Sequence, residues 1–299
     1  MVSPFGGDGG DTLVDRNNAA RAVVEFVNLD MALTTNAGRT SGSPPSFREI
    51  SPSCSAVTYT PDPCDEDARF IAPFEADDQQ PFRWVAGGRF VWETTNGFAT
   101  TCGATACDWK IVHDTGDTHT VTAIDASGGV TYAGWCAPAP GCNPDGAFDS
   151  GIETDAGGSW HSVDSPVLPN RFIQGLTIDP ADTDHVYAVF NGFSRRWIEG
   201  GGVGHVFEST NAGATWTDIS GDLPDAPSDD LELRGGRLVL ATDIGVFIAD
   251  AGQGARTRWS VLGSDFPHGA PTVEVNPSAD GRTLLAATHG RGIWRLRTP

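Results

Sequence analysis

Apolar residues fall at alternate positions through much of this chain, in short runs closed by Gly, Pro, Asn or Asp. Alternation with a period of two over four to eight residues is the signature of β-strands. No uninterrupted apolar pattern of helical period and length is present. The stretch TIDPADTDHVYAVF, followed by HVFEST and TWTDIS, reads as strand and turn four times over, and this unit recurs. First strands end in LVD (13–15), FEAD (74–77), AID (123–125), TID (177–179), LEL (231–233) and VEVN (273–276). Second strands follow as VVEFVN, RWVAGG, VTYAGW, HVYAVF, RLVLAT and TLLAAT. Third strands read MALTTN, FVWETTN, SGIETD, HVFEST, GVFIAD and GIWRLR, and fourth strands SFREIS, DWKIVH, SWHSVD, TWTDIS and RWSVLG; the sixth repeat has no fourth strand.

Six repeats in 299 residues is about fifty each, the period of a four-stranded propeller blade rather than of a sandwich. The expected fold is all-β: one β-propeller domain over residues 1–299, of about six four-stranded blades with the last incomplete. Propellers commonly close by completing the last blade with the N-terminus, yet only Met1 to Pro4 precede the first repeat. The reading therefore allows either imperfect closure or a chain that is the C-terminal part of a larger propeller.

The turns between third and fourth strands share a second pattern: TTNAGRT (34–40), ETDAGGSW (153–160), STNAGATW (209–216) and a degenerate TTNGF…DW (94–109). Asn or Asp can hydrogen-bond the turn backbone, Gly supplies positive φ, and Trp packs between blades. A device repeated blade after blade is structural, which assigns Asn36, Asp155, Asn211, Gly213 and Trp216 to folding. STNAGATW resembles the Asp-box of BNR-repeat proteins, S-x-D-x-G-x-T-W, with Asn211 in place of Asp. The wider run GHVFESTNAGATWTDISGDLP, with TDIGVF and AATHGRGIW, is similar to sialidase-like and sortilin-like propellers, including bacterial glycosyl hydrolases, and the likeness covers nearly the whole chain. It implies a propeller fold; Asp-boxes occur in enzymes, receptors and assembly factors alike, so it implies no single activity. A sialidase would need a Tyr nucleophile paired with Glu. The tyrosines are Tyr59, Tyr132 and Tyr187, and the last two lie in second-strand patterns as packing residues.

Composition narrows the classes. The formal charge is −20, with Lys110 the one lysine, so the surface repels phosphate backbones and anionic membranes. Nucleic acid is excluded as the expected partner, no stretch is apolar enough to span a bilayer, and MVSPFGGDGG lacks signal-peptide character. Six cysteines fall as three close pairs, Cys54 with Cys64, Cys102 with Cys107, and Cys136 with Cys142. The spacing fits loop-closing disulfides and a secreted, oxidised setting better than zinc. PDPCDEDARF and DAPSDD offer oxygen ligands for Ca²⁺ but lack the calcium-loop spacing, so no cofactor is assigned.

Functional residues favour the inserts that break the blade pattern. GWCAPAPGCNPDGAFDSG (134–151) carries Trp135 and Phe148 for stacking on a sugar and Asn143 and Asp145 for its hydroxyls. NGFSRRWIEGGGVG (191–204) combines Arg195, Arg196, Trp197 and Glu199, donors beside an aromatic plate and a carboxylate. Turns at the same place in the next two repeats bring Asp243, His289 and Arg291. Ligand contacts are thus expected at Trp135, Asn143, Arg195, Arg196, Trp197 and Arg291, and acid–base chemistry at Glu199, Asp243 and His289. Two readings stay open: a monomeric secreted carbohydrate-active enzyme, a glycoside hydrolase, or a non-catalytic propeller binding a glycan or a protein. The enzyme requires facing carboxylates, or a His with a carboxylate partner; the binder does not.

Overall fold

The computed structural model describes residues 10–39, 47–52, 65, 67–103, 106–142, 148–194, 202–263, 266, 269–278 and 283–297. The chain is all-β, a six-bladed β-propeller of four-stranded antiparallel sheets in which the described part of the last sheet has three strands. Its only helical elements among the described residues are single 3₁₀ turns at Gly97–Ala99 and Gly254–Arg256. Among the described residues no helix is long and apolar enough to cross a membrane. Two compact units divide it, residues 1–148 and 149–299.

In the first unit, β1 (Thr12–Val14), β2 (Ala22–Glu25), β3 (Met31–Thr34) and β4 (Phe47–Glu49) form one antiparallel sheet in chain order. A second sheet holds β5 (Phe74–Ala76), β6 (Trp84–Gly87), β7 (Phe90–Thr94) and, beyond the small hairpin β8 (Cys102–Gly103) and β9 (Ala106–Cys107), β10 (Lys110–Asp114). The Cys102–Cys107 disulfide clips that hairpin. A long hairpin follows, β11 (Thr120–Ser127) and β12 (Val130–Ala137), with Cys136 bonded to Cys142 just past its end. The expected Cys54–Cys64 pair lies outside the described residues.

The second unit opens with β13 (Asp149–Thr154) paired to β14 (His161–Ser162). Two full sheets come next: β15 (Ile173–Asp179), β16 (Asp182–Phe190), β17 (Val206–Ser209) and β18 (Thr217–Asp218), then β19 (Ser228–Arg234), β20 (Arg237–Thr242), β21 (Gly245–Asp250) and β22 (Ser260–Val261). The three-stranded sheet is β23 (Thr272–Pro277), β24 (Thr283–Thr288) and β25 (Gly292–Arg297). Second strands are interior strands, and each face meets a different core. Leu238 and Leu240 of β20 join Tyr187, Val189, Ile219 and Trp259, while Val239 and Ala241 join Leu262, Phe266, Val275 and Leu284. Burial on both faces explains why RLVLAT is a continuous apolar run rather than an alternating one. Fourth strands are shorter than the sequence pattern: TWTDIS pairs only through Thr217 and Asp218, because Trp216 and Ile219 on either side turn into the core.

Those tryptophans join one sheet to the one before it. Trp109 Nε1 donates to Ile50 O at 2.7 Å in the first unit; in the second, Trp216 Nε1 donates to Val163 O at 3.0 Å and Trp259 Nε1 to Ile219 O at 2.9 Å. Each acceptor is the residue just past a fourth-strand pair, on a carbonyl that the sheet leaves free. The preceding turn holds the indole in place. Asn211 Oδ1 accepts from Ser209 Oγ at 3.0 Å and from Thr215 N at 2.9 Å, and Ser209 Oγ accepts from Gly213 N at 2.8 Å. Gly213 has φ 82°, and a Cβ there would lie 2.6 Å from Val163 Cβ, so only glycine fits. Asn36 repeats the bonding, accepting from Thr34 Oγ1 at 3.0 Å while Gly38 N donates to Thr34 Oγ1 at 3.0 Å. Asp155 lies in the matching turn, its carbonyl accepting from Gly158 N at 2.8 Å.

Replacing Trp259 by Ala should cost about 3–5 kcal/mol through lost burial and the space left behind. Trp259→Phe keeps most of the burial and loses the indole hydrogen bond, about 1 kcal/mol. Urea unfolding should order the proteins wild type, Phe, Ala; an Ala variant as stable as wild type would contradict the latch.

Candidate carboxylate site

Four first strands slip register by one residue at the same place, between Val121 and Ala123, Ile173 and Gly175, Ser228 and Asp230, and Thr272 and Glu274. The extra residues are Thr122, Gln174, Asp229 and Val273. A β-bulge turns its extra side chain out of the strand's alternation, and bulges recur beside active sites for that reason. In β19 the displaced residue is an acid. Asp229 Oδ1 accepts from Asn191 Nδ2 at 2.8 Å, and Oδ2 is buried without a hydrogen-bond partner. Burial, then the neighbouring charges of Asp243 and Asp230, push the Asp229 carboxyl up to about 7, with the Asn191 bond opposing.

The surrounding residues are placed by one repeated backbone contact. Asn191 N donates to Phe172 O at 2.9 Å, Asp243 N to Pro227 O at 3.1 Å, and His289 N to Pro271 O at 2.8 Å. Asn191, Asp243 and His289 are therefore equivalent positions, each just past a second strand. Asp243 and His289 are solvent-exposed, as is Arg291. Asn191 Nδ2 also donates to Ser228 O at 3.3 Å, which fixes the amide against the bulge. The next residue, Asp230, turns the other way. Its Oδ2 accepts from Val275 N and its Oδ1 from Leu231 N, both at 2.8 Å, and burial pushes it up to about 7 as well. Asp229 and the exposed Asp243 thus lie close enough for the Asp243 charge to act on the Asp229 carboxyl.

The DAPSDD stretch thus commits its three acids to protein partners: Asp225 to His205 and Ser194, Asp229 to Asn191, and Asp230 to Val275. No group of three or more His, Cys, Asp and Glu among the described residues is arranged to hold a metal ion.

Around this pair, the 191–204 insert is tethered at both ends. The Arg171 guanidinium donates to Gly192 O at 3.0 Å and also to Gly204 O. Burial lowers Arg171 to about 10 against the opposing charges of Asp225 and Asp218. His205 Nε2 lies 3.2 Å from Asp225 Oδ1 and 3.5 Å from Ser194 Oγ, and Ser194 N donates to Asp225 Oδ1 at 2.8 Å. Serine and acid meet the same imidazole nitrogen, whereas a nucleophilic triad puts the acid on Nδ1; this group anchors the insert. Burial, then Arg171, lowers the His205 pKa, so the imidazole is neutral at pH 7. Arg195, Arg196, Trp197 and Glu199 lie outside the described residues, as do Asn143 and Asp145.

Trp135 is 7% exposed and stacked on His119 at 3.7 Å, and Phe148 is buried, so both are interior aromatics. Tyr132 and Tyr187 are also fully buried, and burial with the Glu208 charge raises the Tyr187 phenol above its ordinary value, which suits packing and not nucleophilic attack. A recess of ≈200 Å³ is floored by Ile152, Ile173 and Phe190 and rimmed by Asp149, Asp164 and Asn170. Phe190 directly precedes Asn191 in the chain, but Asn191, Asp229 and Asp243 are not among the residues that line the recess.

No protein-family model matches the chain, and no curated protein sequence does. Among solved structures it is similar to an ancestral GH74 enzyme, with TM-score 0.62 and 15% identity over 97% of this chain and 36% of that one. The GH74 xyloglucanase from Xanthomonas campestris gives 0.59 and 14% over 97% of this chain and 44% of that one. YCF48 bound to D1 peptide gives 0.55 and 12% over 94% and 76%. The chain spans well under half of the GH74 structures, and at these identities the likeness is one of fold.

Asp229 and Asp230 carry a pH signature. Both titrate near 7 when folded and near 3.9 when unfolded. Between those values the folded chain binds more protons, so stability is greatest on the acid side and falls as pH rises through about 7. Urea midpoints from pH 5 to 8 should fall for wild type and fall less for Asp229→Asn; parallel curves would contradict the assigned Asp229 shift.

Proposed function

We propose that this chain is a secreted carbohydrate-active propeller, a glycoside hydrolase in which Asp229 donates the proton and Asp243 is the partner carboxylate. The observation that carries the reading is Asp229 itself, an acid set on a bulge, half desolvated, with an oxygen that bonds no protein group. A carboxyl that titrates near 7 still holds its proton in a large fraction of molecules at neutral pH, and giving it to the glycosidic oxygen makes the leaving group neutral. Asp243, exposed on the turn after β20, activates water or attacks the sugar directly, the choice depending on the spacing of the two carboxyls. Asn191 positions Asp229 by holding Oδ1. The tethered insert supplies Trp197 as the stacking plate and Arg195 and Arg196 as donors, and the recess beside Phe190 takes a neighbouring sugar unit. His289 and Arg291 occupy the equivalent turn of the next sheet and contact the substrate's far side.

Support for an oxidising, extracellular setting comes from the two disulfides. The second reading, a propeller that binds without turnover, is favoured by the likeness to YCF48, which was solved bound to a peptide.

A panel of purified polysaccharides separates them, scored for reducing ends released and for retention on the immobilised polymer. The hydrolase reading expects release by the wild type, a loss of at least about 100-fold in Asp229→Asn and in Asp243→Asn, and retained binding in both. Activity should fall above pH ~7 as Asp229 loses its proton. Trp197→Ala should weaken retention by about 1–3 kcal/mol. Retention with no release, unaffected by either Asn variant, would select the binding reading.

A further inference from the structure

The sheet of β15–β18 sets a histidine between two acids. His185 lies on β16, and the strand on either side supplies its ring with a carboxylate. Nε2 is 2.9 Å from Glu208 Oε1 of β17, and Nδ1 is 3.6 Å from Asp179 Oδ2 of β15. The ring leans on Tyr187 of its own strand at 4.7 Å. The His185, Glu208 and Asp179 side chains are 17%, 7% and 24% exposed, so water screens their charges only in part. On β18 the residue opposite Glu208 is the uncharged Thr217. The other charged residues at this end are Asp182 and Asp184 on β16 and, on the next sheet, Glu232 and Arg234 of β19. That strand packs on β15, where Thr177 Oγ1 donates to Leu231 O at 2.6 Å.

An imidazolium donates through both nitrogens, a neutral imidazole through one. Protonated, the ring ties β15 and β17 to β16 and offsets the charges of both acids. Neutral, it keeps the shorter bond to Glu208, and Asp179, Asp182 and Glu208 are left without the cation between them. Two contacts carry this difference into the Asn211 turn. Ser209, next to Glu208, donates to Asn211 Oδ1 and accepts from Gly213 N, while Ala212 N donates at 2.8 Å to the carbonyl of Asp184, next to His185. The turn aims Trp216 at Val163 O of the previous sheet. We propose that His185 is a proton-operated clamp: its imidazolium holds the Asn211 turn in place, and loss of the proton loosens that turn and the Trp216 latch. The Glu208 hydrogen bond, against burial, and then the charges of Glu208, Asp179 and Asp182 raise the His185 pKa above its ordinary value. A value raised on folding means that the clamp is fully set below about 6.5 and is lost as pH rises through the folded value. This device is separate from the Asp229 carboxyl and stands whether or not the chain hydrolyses glycans.

The test uses the full chain. Hydrogen exchange of the Trp216 and Trp259 indole N–H groups is followed from acid to alkaline pH, corrected for the intrinsic rate, and the His185 midpoint is read by NMR. Trp259 latches the next sheet and is the internal reference, because any loss of global stability through Asp229 and Asp230 acts on both indoles. The expected result is that Trp216 loses at least tenfold more protection than Trp259 as His185 titrates, that the Ala212 amide follows Trp216, and that the His185 midpoint lies above its ordinary value. Asp179→Asn should lower that midpoint and narrow the difference between the indoles, and His185→Gln should remove its pH dependence. Should His185→Gln fail to fold, the wild type and Asp179→Asn decide. The proposal is overturned if the two indoles lose protection in parallel in the wild type, or if His185 titrates at or below its ordinary value. It is equally overturned if the difference between the indoles keeps its pH dependence unchanged in Asp179→Asn or in a folded His185→Gln.

Discussion

The indole hydrogen bond from one sheet to the end of the previous one is the contact on which the rest of this architecture depends. A sheet with apolar side chains on both faces cannot stand alone, and a fourth strand of only two or three paired residues leaves carbonyls unsatisfied at its end. Trp109, Trp216 and Trp259 answer both needs, filling the space between sheets and donating to the free carbonyls of Ile50, Val163 and Ile219. The Asn-Gly turn before the tryptophan exists to aim it: Asn211 and Ser209 satisfy the turn's own backbone, and Gly213 lets the turn press against Val163. The latch has a direction along the chain, since in all three cases the indole of the later sheet bonds the end of the sheet before it.

Sheets held in this manner give their first and second strands fixed ends, and the site grows there. The bulge that recurs in four of the sheets places one side chain in each outside the strand alternation, and the residue type at that position decides what the position does. Thr122, Gln174 and Val273 add no ionisable group; Asp229 adds an acid in a half-buried setting between Asn191 of the sheet before and Asp243 of its own. Asp230, one residue on, faces the following sheet and caps Val275 N, so two adjacent acids separate into a candidate reactive group and a structural one. The cost of holding both near neutrality is carried by the apolar packing on either side of β20.

Second and third strands were legible in the sequence almost to the residue: RLVLAT and GVFIAD are β20 and β21 as observed. Burial on both faces made the signal strong. Fourth strands were legible as positions but not in length, since only the residues between the two inward-turning side chains pair. The role of the turn residues could be read because it repeats. Asp243 could be found because its turn is equivalent to the insert, but Asp229 was hidden within DAPSDD, where doubled acids look like a solvated or cation-binding loop. Nothing in the local sequence announces a bulge; the register of β19 against β20 does. The tether formed by Arg171, His205 and Asp225 was hidden likewise, because its members are separated in sequence and meet only after the sheets pair. Trp135, an aromatic in a Pro- and Gly-rich insert, has the composition of a surface plate and sits inside, stacked on His119.

The central claim is that Asp229 is held protonated near neutrality by burial and by the Asp243 charge. Carbon-13 NMR of the aspartate carboxyl groups tests it directly, with Asp229 assigned by its loss in Asp229→Asn. The account predicts an Asp229 midpoint of about 7 that moves down toward the ordinary carboxylate range when Asp243 is replaced by Asn. A midpoint near 4 in the wild type, or one indifferent to Asp243, would contradict it.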